Sequence, residues 1–147
     1  MTTPTHATLG FAIGAALGHP FIGIAIAVCV DIDHLTTYVR HGVLRNPRLF
    51  WNTITDNEDS WGSQRGWLHS LLIAIPVGGI IAAIQNPLAS VLVLSYASHL
   101  LLDLLDSADY WPFYPFKFLN IRGPVRFFSK QEVVLAAFFL TVGLCFM

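Results

Sequence analysis

The sequence predicts a small all-α membrane bundle, and three observations carry that reading. Hydrophobic residues make up 54% of the 147 and charged residues only 12%, with a mean hydropathy of +0.60, whereas soluble domains are about one-quarter charged. The long apolar runs are cut by two proline turns, Gly18-His19-Pro20 and Gln85-Asn86-Pro87. The eight basic residues (Arg40, Arg45, Arg48, Arg65, Lys117, Arg122, Arg126, Lys130) avoid both turns and fall in the two long connections. No linker or low-complexity tract divides the chain, so residues 1–147 read as a single integral membrane domain.

Five helices are expected: two proline-turn hairpins and a C-terminal helix. The first runs from His6 to Gly18 and is short for a span, which needs about 20 residues. No Lys or Arg precedes Arg40, so this run lacks the basic region of a cleaved signal peptide and is expected to remain in the mature protein. Proline has no N–H to donate and disfavours helix in the residue before it, so Pro20 ends the first helix and opens a second, to Val39. The second hairpin pairs Trp67 to Ile84 with Pro87 to Ser107, turning at Asn86-Pro87. Ser129 to Met147 forms the last helix. Between the hairpins, Asn46 to Gln64 carries Trp51, Ile54 and Trp61 and reads either as an interfacial helix or as a disordered lid.

The excess of Lys and Arg in the long connections assigns them to the cytoplasmic side of the membrane, as in a multi-pass protein. Trp51, Trp61, Trp67, Tyr110, Trp111 and Tyr114 lie in these connections or at helix ends, where interfacial aromatics collect. A net charge of −1 argues against direct nucleic-acid binding, which needs a basic face to neutralise phosphates. Cys29 and Cys145 lie in apolar runs with no CxxC spacing and read as core or lipid-facing residues.

The residues that bear chemistry stand at the ends of the apolar runs. They are His6, Asp31-Ile32-Asp33-His34, His69, and His99-Leu-Leu-Leu-Asp103. At about 1.5 Å per residue, His6 lies roughly 18 Å before the Pro20 turn and Asp33 a similar distance after it; His69, His99 and Asp103 lie roughly 20 to 25 Å from the Pro87 turn. Antiparallel packing therefore brings all four clusters level at the cytoplasmic end. His99 and Asp103, four apart, share a helix face. Taken alone, such a pair is more often a helix-end hydrogen bond than a ligand pair. Asp31 and Asp33 are about 200° apart on an ideal helix, so both reach one site only if the helix ends or distorts there. Carboxylates at a helix C-terminus oppose its dipole, and a bound cation reverses that penalty. His19, in the opposite turn, and His41, in a loop, read as bystanders.

The ordered set Pro-Thr-His6, Asp31-Ile-Asp33-His34, Arg65-Gly-Trp-Leu-His69-Ser and His99-Leu-Leu-Leu-Asp103, followed by Trp-Pro-Phe, resembles the YdjM-like family over Thr5 to about Phe116. These are inner-membrane-associated metal-dependent hydrolases, also described as LexA-binding. The resemblance implies a helical membrane protein with a divalent-metal hydrolase site, on which His6, Asp31, Asp33, His34, His69, His99 and Asp103 take the motif positions, and a cytosolic LexA-like partner. The chain departs from the His-Arg-Gly often seen in the family, with Gln64 before Arg65. The ligand types are also similar to those of zinc-dependent phospholipases C and related nucleases, an analogy that favours phosphoester chemistry without fixing a substrate.

The expected activity is hydrolysis of a lipid or lipid-linked phosphoester by metal-activated water. Asp33, His69, His99 and Asp103 are expected to form one centre, and His6 with Asp31 or His34 a second. One or two zinc ions are expected, with manganese or magnesium as alternatives. Asp31 or His34 would serve as general base, and Arg65 would hold the phosphate. Topology and anionic lipids alone would also place basic residues there. Two other readings stand beside this one. A divalent-cation transporter should carry its ligands near the bilayer midplane, and a non-catalytic adaptor would use the metal as a closed structural staple.

Overall fold

A computed structural model of the chain describes residues 1–55, 61 and 64–147. Among them are seven α-helices: α1 (Thr3–Ala16), α2 (Pro20–Cys29), α3 (Ile32–Arg40), α4 (Pro47–Thr55), α5 (Leu71–Ala82), α6 (Pro87–Leu105) and α7 (Lys130–Leu144). The five expected helical stretches are present. The second is broken at residues 30–31 into α2 and α3, and the first half of the ambiguous segment forms α4, while most of its second half lies outside the described residues.

The two proline turns act as the sequence requires. His19 and Asn86 sit outside the helical region immediately before Pro20 and Pro87, which take the first position of α2 and α6. Gly18, at φ +77, supplies the left-handed turn residue that ends α1. Between α1 and α2 the backbones approach so closely at Gly10 and Gly23 that a Cβ on either would overlap the other's carbonyl group, as small residues permit between membrane helices. Helix α1 lies centrally, against α2, α6 and α7.

Polar and apolar groups are distributed as in a membrane bundle. Ile80 is 70% exposed and Phe21 81%, whereas His69 and His99 are at 0% and Asp103 at 1%. A soluble protein buries its large apolar side chains first, so this inversion fits a lipid-covered outer face around a polar interior. Among the described residues, two stretches, Pro20–Arg40 and Pro87–Leu105, are long and apolar enough to cross a membrane.

The ends of these helices are fixed by side-chain caps. Ser70 Oγ accepts from Leu72 N (3.2 Å), and Asn86 Oδ1 from Leu88 N (2.9 Å). Ser129 Oγ accepts from Glu132 N (3.2 Å) at the start of α7. After α6 the chain folds back through isolated bridges, Asp106 with Val125 and Tyr110 with Ile121, so residues 106–125 lie under the buried ends of the bundle. Gly123 is required there, because a Cβ would overlap the backbone of Leu105.

Candidate metal centre

The break between α2 and α3 solves the geometric conflict between Asp31 and Asp33. Asp31 sits just ahead of α3 with its Oδ1 turned inward, 3.5 Å from His34 Nε2 and 3.6 Å from His99 Nε2. Asp33, in the first turn of α3, faces the His69 turn instead. Its Oδ2 accepts from Leu68 N (2.6 Å) and from His69 Nδ1 (3.2 Å). Gly66 makes room for this carboxylate, since a Cβ there would stand 3.3 Å from Asp33 Cγ.

The tautomers of the two central histidines follow from their partners. His99 Nδ1 lies 2.5 Å from the Ala27 carbonyl, which can only accept, so Nδ1 carries the proton. His69 Nδ1 faces a carboxylate and is likewise the donor. In the neutral rings both Nε2 atoms then present lone pairs, and they face each other at 3.1 Å. Asp103 Oδ2 completes the triangle, 3.3 Å from His69 Nε2 and 3.5 Å from His99 Nε2, with no hydrogen-bond donor among the described residues. Three buried acceptors thus converge with no proton among them, an arrangement that costs free energy unless a cation lies between.

The triangle also has the right size. A tetrahedral ion with ligand bonds of about 2.0–2.1 Å separates its ligand atoms by about 3.3 Å, and the edges here are 3.1, 3.3 and 3.5 Å. Two further triads, His6 with Asp31 and His99, and Asp31 with His34 and His69, also offer ligand atoms within 4.8 Å of one another. The His6 ring stacks on His99 with centroids 3.7 Å apart. Its Nε2 lies 3.4 Å from Asp103 Oδ1, and neither of its nitrogens has a hydrogen-bond partner among the described residues. These orphaned buried atoms suit a divalent ion with imidazole and carboxylate ligands.

Arg65 is committed to the protein. Its Nη2 donates to Asp103 Oδ1 (3.1 Å) and Asp106 Oδ2 (2.5 Å), and its Nη1 to the carbonyls of Ala108 (3.3 Å) and Asp109 (3.0 Å). Burial works against its charge, but the two carboxylates outweigh it and raise the guanidinium pKa above its ordinary value. The Met1 amine shares the same two carboxylates, 2.5 Å from Asp106 Oδ2 and 3.2 Å from Asp103 Oδ1. Burial also acts against charge on Asp106, yet this amine and Arg65 together hold its carboxyl below the usual range. Burial lowers the pKa of His69 despite the opposing bond to Asp33, keeping the ring neutral and able to ligate at pH 7.

The structure gathers His6, Asp31, Asp33, His34, His69, His99 and Asp103 into one cluster. Asp33 stands behind His69, orienting the ring rather than facing the triangle, which is the carboxylate–histidine arrangement that raises ligand basicity. His19 lies in the opposite turn, and His41 stacks on Trp61 at 4.6 Å, away from the cluster. Two contributors escape a reading by motif. Asp106, three residues after Asp103 at the end of α6, carries no motif of its own. Glu132, 2% exposed, accepts from Thr2 N, Thr5 Oγ1 and Phe128 N at 2.5, 3.1 and 2.7 Å, tying the segment before His6 to α7. Its signal is its position as the lone acid of an apolar helix.

This arrangement of seven residues coincides with a family match. The sequence matches the family described as YdjM inner membrane protein across residues 1–147. The chain belongs to that family. The family membership that the motifs suggested is thereby met, and the membrane character of α2–α3 and α6 agrees with the family's description. No curated protein and no solved structure gives a match.

Proposed function

We propose that this YdjM family member is a membrane-bound metal-dependent hydrolase that cleaves a phosphoester of a lipid or lipid-linked substrate at the cytoplasmic membrane surface. The observation that carries the reading is the proton-free triangle of His69 Nε2, His99 Nε2 and Asp103 Oδ2, matched in size to a tetrahedral ion. A zinc-like divalent ion held there supplies Lewis acidity and lowers the pKa of water toward neutrality.

The chain's own residues divide the remaining work. Asp33 and the Ala27 carbonyl fix His69 and His99 with Nε2 inward. Arg65 occupies Asp103 Oδ1 and leaves Oδ2 free for the triangle, so in our reading it positions a ligand rather than gripping the phosphate. Asp31 and His34 border a cavity of about 510 Å³. The pair Asp31 Oδ1 and His34 Nε2, 3.5 Å apart beside the triangle, is suited to accept a proton from the attacking water.

The cavity beside Asp31 and His34 favours an enzyme over an adaptor, since a structural site is closed on all sides. The position of the cluster near one end of both hairpins disfavours a transporter, whose ligands belong at mid-depth. Elemental analysis of purified protein and hydrolysis of artificial phosphoesters and phospholipids test the reading together. Zinc or manganese should co-purify and support turnover, and the His99→Ala, Asp103→Ala double variant should lose both. Equal metal content and equal rates in the two proteins would refute the assignment.

A further inference from the structure

The same cavity has a second end, built of different chemistry. Its inner wall carries Asp31, His34, Arg65 and Asp106, and its outer wall is apolar, formed by Leu35, Tyr38, Leu44, Phe50, Ile54, Phe127 and Phe128. We propose that this outer half binds one apolar chain of an amphiphile drawn from the adjoining leaflet, with the amphiphile's anionic head at the metal centre. The proposal rests on the hydrolase reading and adds to it the place where the substrate's chain is held.

Size sets the scale of the ligand. A cavity of about 510 Å³ lies inside the range of about 300–1,000 Å³ typical of small-ligand sites, which suits a head and one chain, with any further chain left in the leaflet.

The walls are built to hold a shape. Tyr38 of α3 meets Phe50 of α4 edge-to-face with centroids 6.0 Å apart, and Trp51 of α4 stacks on Phe128 at 6.0 Å. These pairs tie α4 to both sides of the cavity. Phe128 is held at φ +53, a left-handed conformation costly for a bulky side chain. Its N–H is bound by Glu132 Oε2 at 2.7 Å. Strain retained in a wall residue and stabilised by a buried carboxylate marks a shaped site more than a chance gap. Leu35, Leu44 and Phe128 are each about half exposed at the rim. Leu35 stands on α3, whose mixed polar and apolar faces suit the membrane surface where a chain can enter from the leaflet.

Electrostatics assign the head. The cations in the described lining are the Met1 amine and Arg65, whose two Nη groups donate to two carboxylates and two carbonyls. Asp109, also in the lining, is paired with Arg122 at 2.7 Å. The Met1 amine and Arg65 balance Asp31 and Asp106 in the inner wall, and cations in the triads would add the positive charge that draws an anionic head. Chain binding is independent of metal, whereas head binding strengthens with it.

Photolabelling tests this without relying on turnover. The full chain, in phosphatidylcholine nanodiscs, is exposed to dodecyl phosphate or dodecanol bearing a terminal diazirine, with zinc or with chelator, and the adducts are mapped by mass spectrometry. Adducts are expected on Leu35, Phe50, Ile54 or Phe127. Zinc should strengthen labelling by the phosphate and leave that by the alcohol unchanged. Ile54→Trp and Leu35→Trp, which add bulk to the lining from α4 and α3, should each reduce labelling by about tenfold while bound zinc stays constant. Adducts confined to the outer faces of α5 and α7, or indifferent to both substitutions, would overturn the proposal. Cavity labelling with no hydrolysis of any phosphoester would sink the hydrolase reading and leave the chain site standing. Turnover of a soluble phosphoester with no cavity labelling would do the reverse.

Discussion

At the scale of single residues, the site depends as much on groups behind the ligands as on the ligands themselves. Asp33 accepts from His69 Nδ1 and Leu68 N, so Asp33→Asn keeps the shape and removes the charge that orients the ring. Loss of a comparable partner typically costs about 10- to 100-fold in metal affinity, and competition titration against a zinc chelator should find that range. An unchanged affinity would place Asp33 outside the site's support. Arg65 is a stricter case, because it is buried between Asp103 and Asp106. Arg65→Met leaves those carboxylates with one buried cation fewer, a change that costs about 3–5 kcal/mol when a buried pair is broken. Thermal unfolding in detergent should show the loss, and adding Asp106→Asn should restore part of it. If the double variant is no more stable than the single one, the carboxylates are not the source of the cost.

At the scale of elements, the two hairpins and the α2–α3 break do the positioning. The Gly10–Gly23 contact sets how close α1 lies to α2, and thereby where His6 stands against His99. Gly23→Leu should separate the helices and lower metal content, while Gly79→Leu, at a site with open space around it, should do neither. Inductively coupled plasma measurements on both variants decide it. The hairpins were legible because Pro20 and Pro87 each follow a residue they bar from the helix, a local rule that tertiary context did not override. The break at residues 30–31 was legible only as a condition, since Asp31 and Asp33 serve one cluster only if the helix is interrupted. Nothing in Val30-Asp31-Ile32 itself demands the break. Helix α4 was left open between two states because Trp51 and Ile54 suit either an interfacial helix or a lid, and its aromatic ties to Tyr38 and Phe128 are long-range.

For the whole molecule, a buried set of acceptors around an ion couples stability to metal and to protons. Saturating zinc at about 100 times its dissociation constant should add roughly 2.7 kcal/mol to stability, read as a higher Tm that chelator reverses. For the metal-free protein the pH dependence has a fixed sign. His69 is depressed below its ordinary 6.5 and Asp106 below 3.8, so at acid pH the unfolded chain binds protons that the folded chain refuses. Stability must fall as pH drops below about 6.5, and fall further near 3.8 and below. A Tm that rises on acidification to pH 5 would contradict the burial of His69.

The sequence by itself determined the class of the protein, the two hairpins and the list of residues that would meet. Composition, proline and helical rise are local or additive quantities, and they leave little freedom once the chain must satisfy its backbone inside lipid. Which nitrogen faces inward, which carboxylate ligates and which supports, and what Arg65 is bound to were decided by tertiary structure alone. Those outcomes rest on contacts such as the 3.4 Å between His6 Nε2 and Asp103 Oδ1, which join groups about a hundred residues apart, and no spacing rule along the chain reaches that far.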